Sequence, residues 1–537
     1  MTNANFPKAT IEGYPRIGAN RELKRALESY WAGRIDAETF ESAAHSLRLD
    51  TYNRLRDLGL TEDYAIPADV AYYDQVLETA LTVGAVAGET LDDEFTLARG
   101  NKDTAPLEMT KWFDTNYHYI VPEIADDHAF KAHPQRIIKL VEEAREAGHT
   151  VRPYLVGPVT LLALSKQAEG AAKAPLERLD DAVAAYQEVL AELHKAGVEW
   201  IQLAEPALVA DLTNASDEDL AAYTKQAYSA ILGAKERPQV YLTTPYGSAR
   251  KGLDVIAELK PEAVQVDLSV GTLALDEGYL ERVKSLNTHV VAGLVDGRNV
   301  WAANLRDLRS KYEDLAGSID ELSVSTSVSL QHVPHTVEAE TKLPADVATW
   351  FSFANEKVKE VVALSQGPLE APEAYNISDR AVRTRADSER IHNAAVKARI
   401  DELAESTARS DVDAGGIKDG EGVSLIASAW ERLRRNPMFI IGAVIVALIF
   451  LMAIFAPFIA PDGLSNYSTT ERKELAFQVD DAADEVPPVG VLLHLLLEAE
   501  QATGCYFVPT QWQQICAVPG LAEGEARAPR KRRRRRH

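Results

Sequence analysis

The stretch that decides the fold reads Val151-Arg152-Pro153-Tyr154-Leu155-Val156 and continues into Gly157-Pro158. It joins a short apolar and β-branched run to a turn signal, a combination typical of a buried strand that ends at a loop. Runs of the same kind recur at 9–14, 200–203, 240–244, 264–268, 289–294 and 322–327, and stretches with helical spacing such as 179–196 lie between them. Strands that alternate with helices predict an α/β fold with a parallel sheet.

Polar or turn-forming residues follow most of these strands. The clusters are Tyr14-Pro15-Arg16, Gly157-Pro158, Glu205-Pro206, Thr243-Thr244-Pro245, Asp267 and Asp296-Gly297-Arg298. A closed βα barrel binds its ligands at this carboxyl-terminal rim of the strands. A doubly wound open sheet is the competing architecture, but the chain has neither a dinucleotide-binding nor a P-loop glycine pattern. We therefore predict a (βα)8 TIM-type barrel over residues 1–400.

The composition excludes several classes of protein. The 537 residues are 46% hydrophobic and 26% charged, which is globular composition and not that of a disordered chain. A formal charge of −24 argues against nucleic acid as a partner, since phosphate backbones need a basic surface. No signal-peptide pattern opens the chain, so we expect no secretion. The cysteines are Cys505 and Cys516, so neither a disulfide nor a thiolate-ligated metal is expected in the residues before them.

The character of the sequence changes after residue 400. Residues 405–422 are rich in Asp, Gly and Ser, and we predict a flexible linker over 401–422. Residues 438–460 form an uncharged apolar run, and about 20 such residues cross a bilayer, so we predict a transmembrane helix there. The tail 466–537 stays unassigned. Its end, Lys531–Arg536, is interpreted as a solvated terminus, with anionic lipid or nucleic acid as the alternative ligand.

Several unusual blocks occur in order between residues 5 and 400. They include Gly13–Gly18, Arg21–Lys24, Tyr30-Trp31, Tyr72–Asp74, Glu108–Phe113, Asn116–Tyr119, Gly157–Thr160, Glu205–Leu208, Gly297–Trp301, Ser325–Pro334 and Arg390–Asn393. This region resembles the N-terminal barrel of cobalamin-independent methionine synthase, a family built from two βα barrels. The resemblance implies that the barrel binds the tail of 5-methyltetrahydropteroyltri-L-glutamate. The implied contacts are Arg21, Glu22, Leu23, Lys24 and Lys111, with Arg16 as an additional anion contact.

The same resemblance implies methyl transfer from 5-methyltetrahydrofolate to homocysteine, in methionine biosynthesis. In this family a zinc ion in the C-terminal barrel activates the thiol, and its ligands are a histidine, two cysteines and a glutamate. The residues after 400 are too few for a second barrel, which needs roughly 200. We therefore expect a methyltransferase by resemblance that is inactive alone, with no catalytic residue, metal or other cofactor of its own. A separate chain that carries the zinc barrel is the expected catalytic partner.

A second, shorter resemblance covers residues 423–465. Ala429–Pro437 leads into the apolar run and Ala456–Pro461 closes it, and this segment resembles the N-terminus of a peptide ABC transporter permease. Arg432, Arg434 and Arg435 precede the run, which predicts a cytoplasmic barrel on a chain anchored in the cytoplasmic membrane. The alternatives are a membrane-anchored or permease-derived interaction protein, and a fusion or frameshift chain with a passenger barrel.

The basic cluster has two interpretations. If Asn20 caps a helix that begins near Arg21, then Arg21, Lys24 and Arg25 share one face, and the helix N-terminus adds a positive dipole. A ligand carboxylate would bind there. The alternative is a solvated face paired with acidic neighbours on the same helix. For Lys111 the alternatives are a carboxylate contact and a stem that only covers aromatic neighbours.

Other polar residues also have a structural alternative. The carboxylates at the strand ends are suited either to general acid–base chemistry or to holding loops, and we assign them no catalytic role; they are Asp69, Asp74, Glu205 and Asp267. His332 and His335 have the spacing of a metal pair, but Pro334 between them opposes a regular helix. Cys505 and Cys516 are either free thiols or a disulfide.

Overall fold

A parallel β-sheet with helices packed against it forms the centre of the protein. The computed structural model describes residues 5–69, 71–211, 214–413, 505–506 and 515–516. The strands are β1 (Ile66–Ala68), β2 (Met109–Lys111), β3 (His118–Ile120), β4 (Glu123–Ile124), β5 (Val151–Val156), β6 (Lys166–Gln167), β7 (Trp200–Ala204), β8 (Gln239–Thr244), β9 (Ala263–Asp267), β10 (His289–Val295), β11 (Leu322–Thr326), β12 (Cys505–Tyr506) and β13 (Ile515–Cys516).

The helices lie mostly between consecutive strands, as parallel pairing requires. They are α1 (Glu22–Trp31), α2 (Ala37–Asp57), α3 (Gln75–Thr82), α4 (Leu91–Arg99), α5 (Gln135–Glu146), α6 (Pro158–Ala163), α7 (Leu179–Lys195), α8 (Asp217–Gly233), α9 (Arg250–Leu259), α10 (Val270–Leu275), α11 (Tyr279–Lys284), α12 (Leu305–Ala316), α13 (Ala345–Ala348), α14 (Ala354–Gln366), α15 (Pro372–Ala386) and α16 (Ala394–Asp413).

The main sheet has the strand order β1-β5-β7-β8-β9-β10-β11, and every neighbouring pair is parallel. One segment near the N-terminus contacts β11 at one edge of the sheet and the residue directly before β1 at the other. The Thr10 N–H donates to the Val324 carbonyl of β11 at 3.0 Å, and the Val324 N–H donates to Lys8 at 2.9 Å. The Thr10 hydroxyl donates to the carbonyl of Ala65, directly before β1, at 2.7 Å. The sheet is therefore curled, so that its two edges approach the same segment.

The core lies between the sheet and the surrounding helices. All five residues of β9 are buried, as expected for a strand covered on both faces. Helix α7 buries Tyr186, Leu190 and Leu193 at three- and four-residue spacing, which turns one apolar face toward the sheet. Each fully buried apolar side chain contributes about 1.5–3 kcal/mol relative to an exposed one, so this face anchors the helix.

The predicted α/β fold and the predicted strands from residue 151 onward are confirmed. The predicted strand at 9–14 is only an isolated bridge between Ala9 and Val324, because the backbone soon bonds to side chains: the Glu12 N–H donates to the Thr326 hydroxyl at 3.1 Å. Sequence analysis missed β1. It has three residues with Pro67 at its centre, and proline normally argues against an interior strand because it has no N–H to donate.

The unit that contains the sheet ends at Thr407. Helix α16 continues to Asp413 and so enters the range predicted as a linker. In the short pair of β12 and β13, Cys505 lies opposite Cys516 in antiparallel register. No helix within the described residues is long and apolar enough to cross a membrane. The predicted transmembrane helix at 438–460 and most of the tail lie outside the described residues.

Candidate ligand site at the carboxyl ends of the strands

A cavity opens beside two of the predicted rim clusters, Tyr14-Pro15-Arg16 and Thr243-Thr244-Pro245. Between its atoms it holds about 940 Å³ of space, open solvent at its mouth included. Its walls come from the loops after β1, β8 and β11, from the segment after Thr10, and from α2. The lining side chains include Glu12, Tyr14, Arg16, Leu23, Arg48, Tyr52, Asp69, Tyr72, Gln75, Trp112, Tyr154, Tyr246 and Gln331. The carboxyl ends of the strands, where we expected a ligand site, therefore border a cavity in the structure.

Aromatic side chains form a hydrogen-bonded row in this cavity. The Trp112 indole N–H donates to the Tyr246 hydroxyl at 2.9 Å, and that hydroxyl lies 2.8 Å from His332 Nε2. Burial lowers the pKa of His332 to about 4, and the nearby Arg298 acts in the same direction, so the imidazole is neutral at pH 7. A neutral imidazole accepts a hydrogen bond from the Tyr246 hydroxyl, which itself accepts one from Trp112, and these two bonds fix the Tyr246 ring in the cavity wall.

Arg16 and Asp69 form an ion pair inside the lining. Arg16 Nη1 donates to Asp69 Oδ2 at 2.5 Å, and Arg16 Nη2 lies 3.3 Å from both the Tyr73 carbonyl and Gln75 Oε1. The guanidinium is thus directed to partners within the protein. An anionic ligand would have to compete with Asp69 for it.

Glu12 is the most deeply placed carboxylate of the cavity. Its side chain is 3% exposed, and Oε1 accepts a hydrogen bond from the Thr243 hydroxyl at 2.7 Å. Oε2 is buried and has no hydrogen-bond partner among the described residues. Burial raises the pKa of Glu12 to about 7, while Thr243 and Arg152 oppose that shift.

The N-terminus of α1 differs from the prediction. Arg21, not Asn20, is the N-cap residue; it has a left-handed backbone with φ 62°, and its side chain makes no cap hydrogen bond. The Glu22 carboxylate accepts instead from the Asn20 N–H at 2.9 Å and from Asn20 Nδ2 at 3.1 Å. A carboxylate of the chain itself therefore occupies the place that we predicted for a ligand anion. The prediction that Asn20 caps α1 is wrong. Sequence spacing does not show how Gly18, at φ 85°, turns the chain before the helix.

The predicted tail-binding residues lie in two places. Leu23 is buried and lines the cavity, whereas Arg21, Glu22 and Lys24 are exposed on α1. Lys24 lies 3.7 Å from Glu28 one turn further along. Lys111 is exposed in β2, directly before the cavity-lining Trp112. The two lysines are therefore each adjacent in sequence to a residue of the same cavity wall.

The carboxylates at the strand ends accept hydrogen bonds from backbone N–H groups of the adjoining loops and helices. Asp74 caps α3 by accepting from the N–H groups of Val76 and Leu77 at 2.8 and 2.9 Å. Glu205 accepts from the N–H groups of Val159 and Thr160 at 3.2 and 2.7 Å, and from the Tyr228 hydroxyl at 2.9 Å. Asp267 accepts from the Ser269 N–H at 2.9 Å. Burial raises the pKa of Glu205 to about 7 and those of Asp74 and Asp267 to about 6.

His332 and His335 do not converge. His335 Nε2 lies 3.1 Å from the Tyr14 hydroxyl, while His332 meets Tyr246. Within the part of the chain that the structure describes, no group of three or more His, Cys, Asp or Glu side chains is arranged to hold a metal ion. The zinc ligand set implied by the family resemblance therefore does not fit these residues.

Sequence reasoning missed Glu12, Arg48 and Tyr52 as cavity residues. Arg48 and Tyr52 lie on α2, far from any strand end in sequence, and their spacing matches an ordinary amphipathic helix. Glu12 had a usable signal, because it is a charged residue in an apolar run that was predicted to be a buried strand.

Comparison with known proteins decides the family. Residues 8–320 match the family model described as the N-terminal domain of cobalamin-independent synthase. The chain belongs to this family. A 5-methyltetrahydropteroyltriglutamate–homocysteine methyltransferase of Rhodococcus jostii is 44% identical over 410 residues, which cover 74% of this chain and 53% of the relative. The chain thus spans about half the length of that relative.

Other matches extend the comparison. The enzyme of the same name from Mycobacterium bovis (strain BCG / Pasteur 1173P2) is 36% identical over 547 residues, covering 97% of this chain and 69% of the relative. A solved B12-independent methionine synthase from Shewanella sp. W3-18-1 is 13% identical, with a TM-score of 0.45 over 62% of this chain and 89% of that one. Residues 424–488 match the N-terminal transmembrane domain of oligopeptide transport permease C, as the second resemblance predicts, and lie outside the described residues.

Proposed function

We propose that residues 1–400 bind the polyglutamate tail of a folate, as the N-terminal barrel of a methionine-synthase-type methyltransferase. The observation that carries the proposal is that Lys24 and Lys111 are exposed beside Leu23 and Trp112, which line one cavity. The tail supplies several carboxylates, and two exposed lysines, each adjacent in sequence to a residue of the cavity lining, suit such a ligand. The names of the relatives support the substrate class.

We propose further that the curled sheet is a closed (βα)8 barrel, with residues 8–12 as its eighth strand. The backbone bonds of this segment to β11 and the Thr10 side-chain bond to Ala65 support that closure. Closure brings the loops after all strands to one rim, where ligands of such barrels bind.

The individual tail contacts in this proposal are those that the family resemblance implies. Lys24 and Lys111 supply the charge, Arg21 adds to it at the start of α1, and Leu23 packs α1 against the cavity wall. Glu22 holds the turn at Asn20, which keeps this end of α1 in place. Arg16 remains an additional anion contact only for a ligand that displaces Asp69.

We propose methyl transfer to homocysteine only for a complex of this chain with a partner that binds zinc. Zinc bound to the homocysteine thiol would stabilise the nucleophilic thiolate at neutral pH. The described residues present no such site, so we assign this chain the binding of the folate and no chemical step. A separate zinc-barrel chain remains the proposed partner.

Binding of mono- and triglutamate forms of 5-methyltetrahydrofolate tests the proposal. An exposed ion pair contributes only about 0–1 kcal/mol, but several together reach the 1.4 kcal/mol that changes affinity about tenfold. We expect the triglutamate to bind about tenfold more tightly, and added salt to reduce the difference because it screens exposed charges. The readout is calorimetric titration of the full chain.

A double variant locates the contacts. Lys24→Ala with Lys111→Ala should remove most of the preference for the triglutamate. The matched control is Lys195→Ala with Lys225→Ala, which removes the same charge from two lysines that are 61% and 59% exposed on α7 and α8. Equal binding of both folates to the unmodified chain, or equal losses in the two double variants, would contradict the assignment.

A second candidate function is membrane association through residues 438–460, and the permease match at 424–488 favours it. In this proposal the arginines before the apolar run keep residues 1–400 in the cytoplasm. Carbonate extraction of membranes from cells that express the chain tests it, with a variant lacking 438–460 as the control. Release of the full chain by carbonate would count against anchoring.

A further inference from the structure

We propose that the cavity at the carboxyl ends of the strands binds a small aromatic cation of the amidine or amine class. The ligand would lie among tyrosine rings and direct its N–H groups to Glu12. This site goes beyond folate-tail binding, because the tail carries negative charge and the main charged contacts proposed for it, Lys24 and Lys111, lie outside the cavity lining.

The Glu12 carboxylate is the feature that requires a partner. The side chain is 3% exposed and lines the cavity, and its Oε2 has no hydrogen-bond partner among the described residues. A buried oxygen left without a partner destabilises the protein, and more so when it is charged. A ligand N–H that enters the cavity would remove this cost.

The arginines near the cavity are directed elsewhere. Arg16 pairs with Asp69 at 2.5 Å, and Arg48 donates to Glu143 at 3.1 Å. Arg152 lies near Glu12, but its N–H groups donate to two backbone carbonyls and a glutamine. Arg152 and Gln202 both act on the Glu12 carboxyl, but no group of the described residues donates a hydrogen bond to Oε2, so a cationic donor is favoured over an anion.

The walls select a flat ligand. Tyr14, Tyr72, Trp112 and Tyr246 present rings to the cavity, and aromatic faces attract both flat rings and cations. The Tyr52 hydroxyl, also buried in the lining without a partner among the described residues, is available to a polar group elsewhere on the ligand.

Benzamidine is a suitable probe, since its amidinium donates two parallel N–H groups to a carboxylate. Its binding to the full chain is measured by calorimetric titration beside benzamide, which has the same shape without the charge, and benzoate, which has the opposite charge. We expect benzamidine to bind at least tenfold more tightly than benzamide, and benzoate to bind most weakly. Equal affinities, or no saturable binding of benzamidine, would overturn the proposal.

Variants assign the effect to one side chain. Glu12→Gln keeps the shape and removes the charge, and should weaken benzamidine binding at least tenfold. The control is Glu205→Gln, which changes another fully buried carboxylate whose two oxygens already have partners and which lies outside the cavity lining. Unchanged affinity in Glu12→Gln, or the same loss in the control, would exclude Glu12 as the partner. The order of the three probes on the unmodified chain tests the proposal even where Glu12→Gln does not fold.

Discussion

Replacing Arg152 by methionine should destabilise the fold more than the loss of any surface arginine. Arg152 lies in β5 with 0% exposure. It donates to the Ile11 carbonyl at 3.2 Å, to the Tyr64 carbonyl, and to Gln202 Oε1 at 3.2 and 3.1 Å. This one side chain therefore ties the N-terminal segment to the residues before β1 and to β7, across the place where the edges of the sheet approach each other.

The magnitude follows from the groups left behind. Methionine fills most of the volume but leaves three buried acceptors without their donor, and each unsatisfied group costs about 1–3 kcal/mol. Removing a buried charge returns part of that cost, because burying it was unfavourable. Burial lowers the pKa of Arg152, which agrees with such a penalty. We expect a net loss of about 3–5 kcal/mol in the free energy of unfolding, the range seen when one partner of a buried charged network is removed.

Urea unfolding followed by far-ultraviolet circular dichroism measures this loss through the midpoint and slope of the transition. The matched control is Arg306→Met, where the arginine is 56% exposed and lies 2.8 Å from Asp379. That pair should contribute no more than about 1 kcal/mol. If both variants shift the unfolding midpoint equally, the role given to Arg152 in joining the sheet edges is wrong.

Further predictions concern pH, the core and zinc. Burial raises the pKa of Glu205 from 4.5 to about 7, so the folded state keeps a proton that the unfolded state loses, and stability should fall by about 3 kcal/mol as the pH rises through this window. Glu205→Gln should reduce that slope in urea titrations at several pH values, leaving the share of Glu12, Asp74 and Asp267, and an unchanged slope would refute the assignment. Leu193→Ala in α7 should cost about 2–5 kcal/mol in the same assay, whereas Leu369→Ala, at 95% exposure, should cost almost nothing. Equal costs would contradict the packing of α7. Neither zinc nor a chelator should change the thermal midpoint of the purified chain, and a marked stabilisation by zinc would reveal a site that we do not assign.

Local patterns in the sequence were sufficient for much of the fold. Strands β5 and β7–β11 and helix α7 lie close to their predicted bounds, because burial on both faces of a strand and on one face of a helix imposes short periods that a sequence displays directly. The rim of the sheet was predictable for a related reason. Parallel strands place their carboxyl ends together, so turn residues after successive strands meet without any knowledge of tertiary contacts. Strand β1 was not predicted, because three residues around a proline are too few to show a hydrophobic period.

Only the tertiary structure decided what the polar residues at that rim do. The sequence shows that Arg16 is basic but not that it is paired. Its partner Asp69 lies 53 positions away, and the loops that carry the two residues meet only in the folded structure. The prediction of an Asn20 cap was wrong for the same kind of reason. Both amide groups of Asn20 donate to Glu22 because of a turn at Gly18, and residue spacing does not reveal that turn. Glu12 and Tyr52 converge on one cavity from a strand-end segment and a helix that no motif connects. The availability of a carboxylate depends on burial and on the donors around it, and these are set by long-range packing.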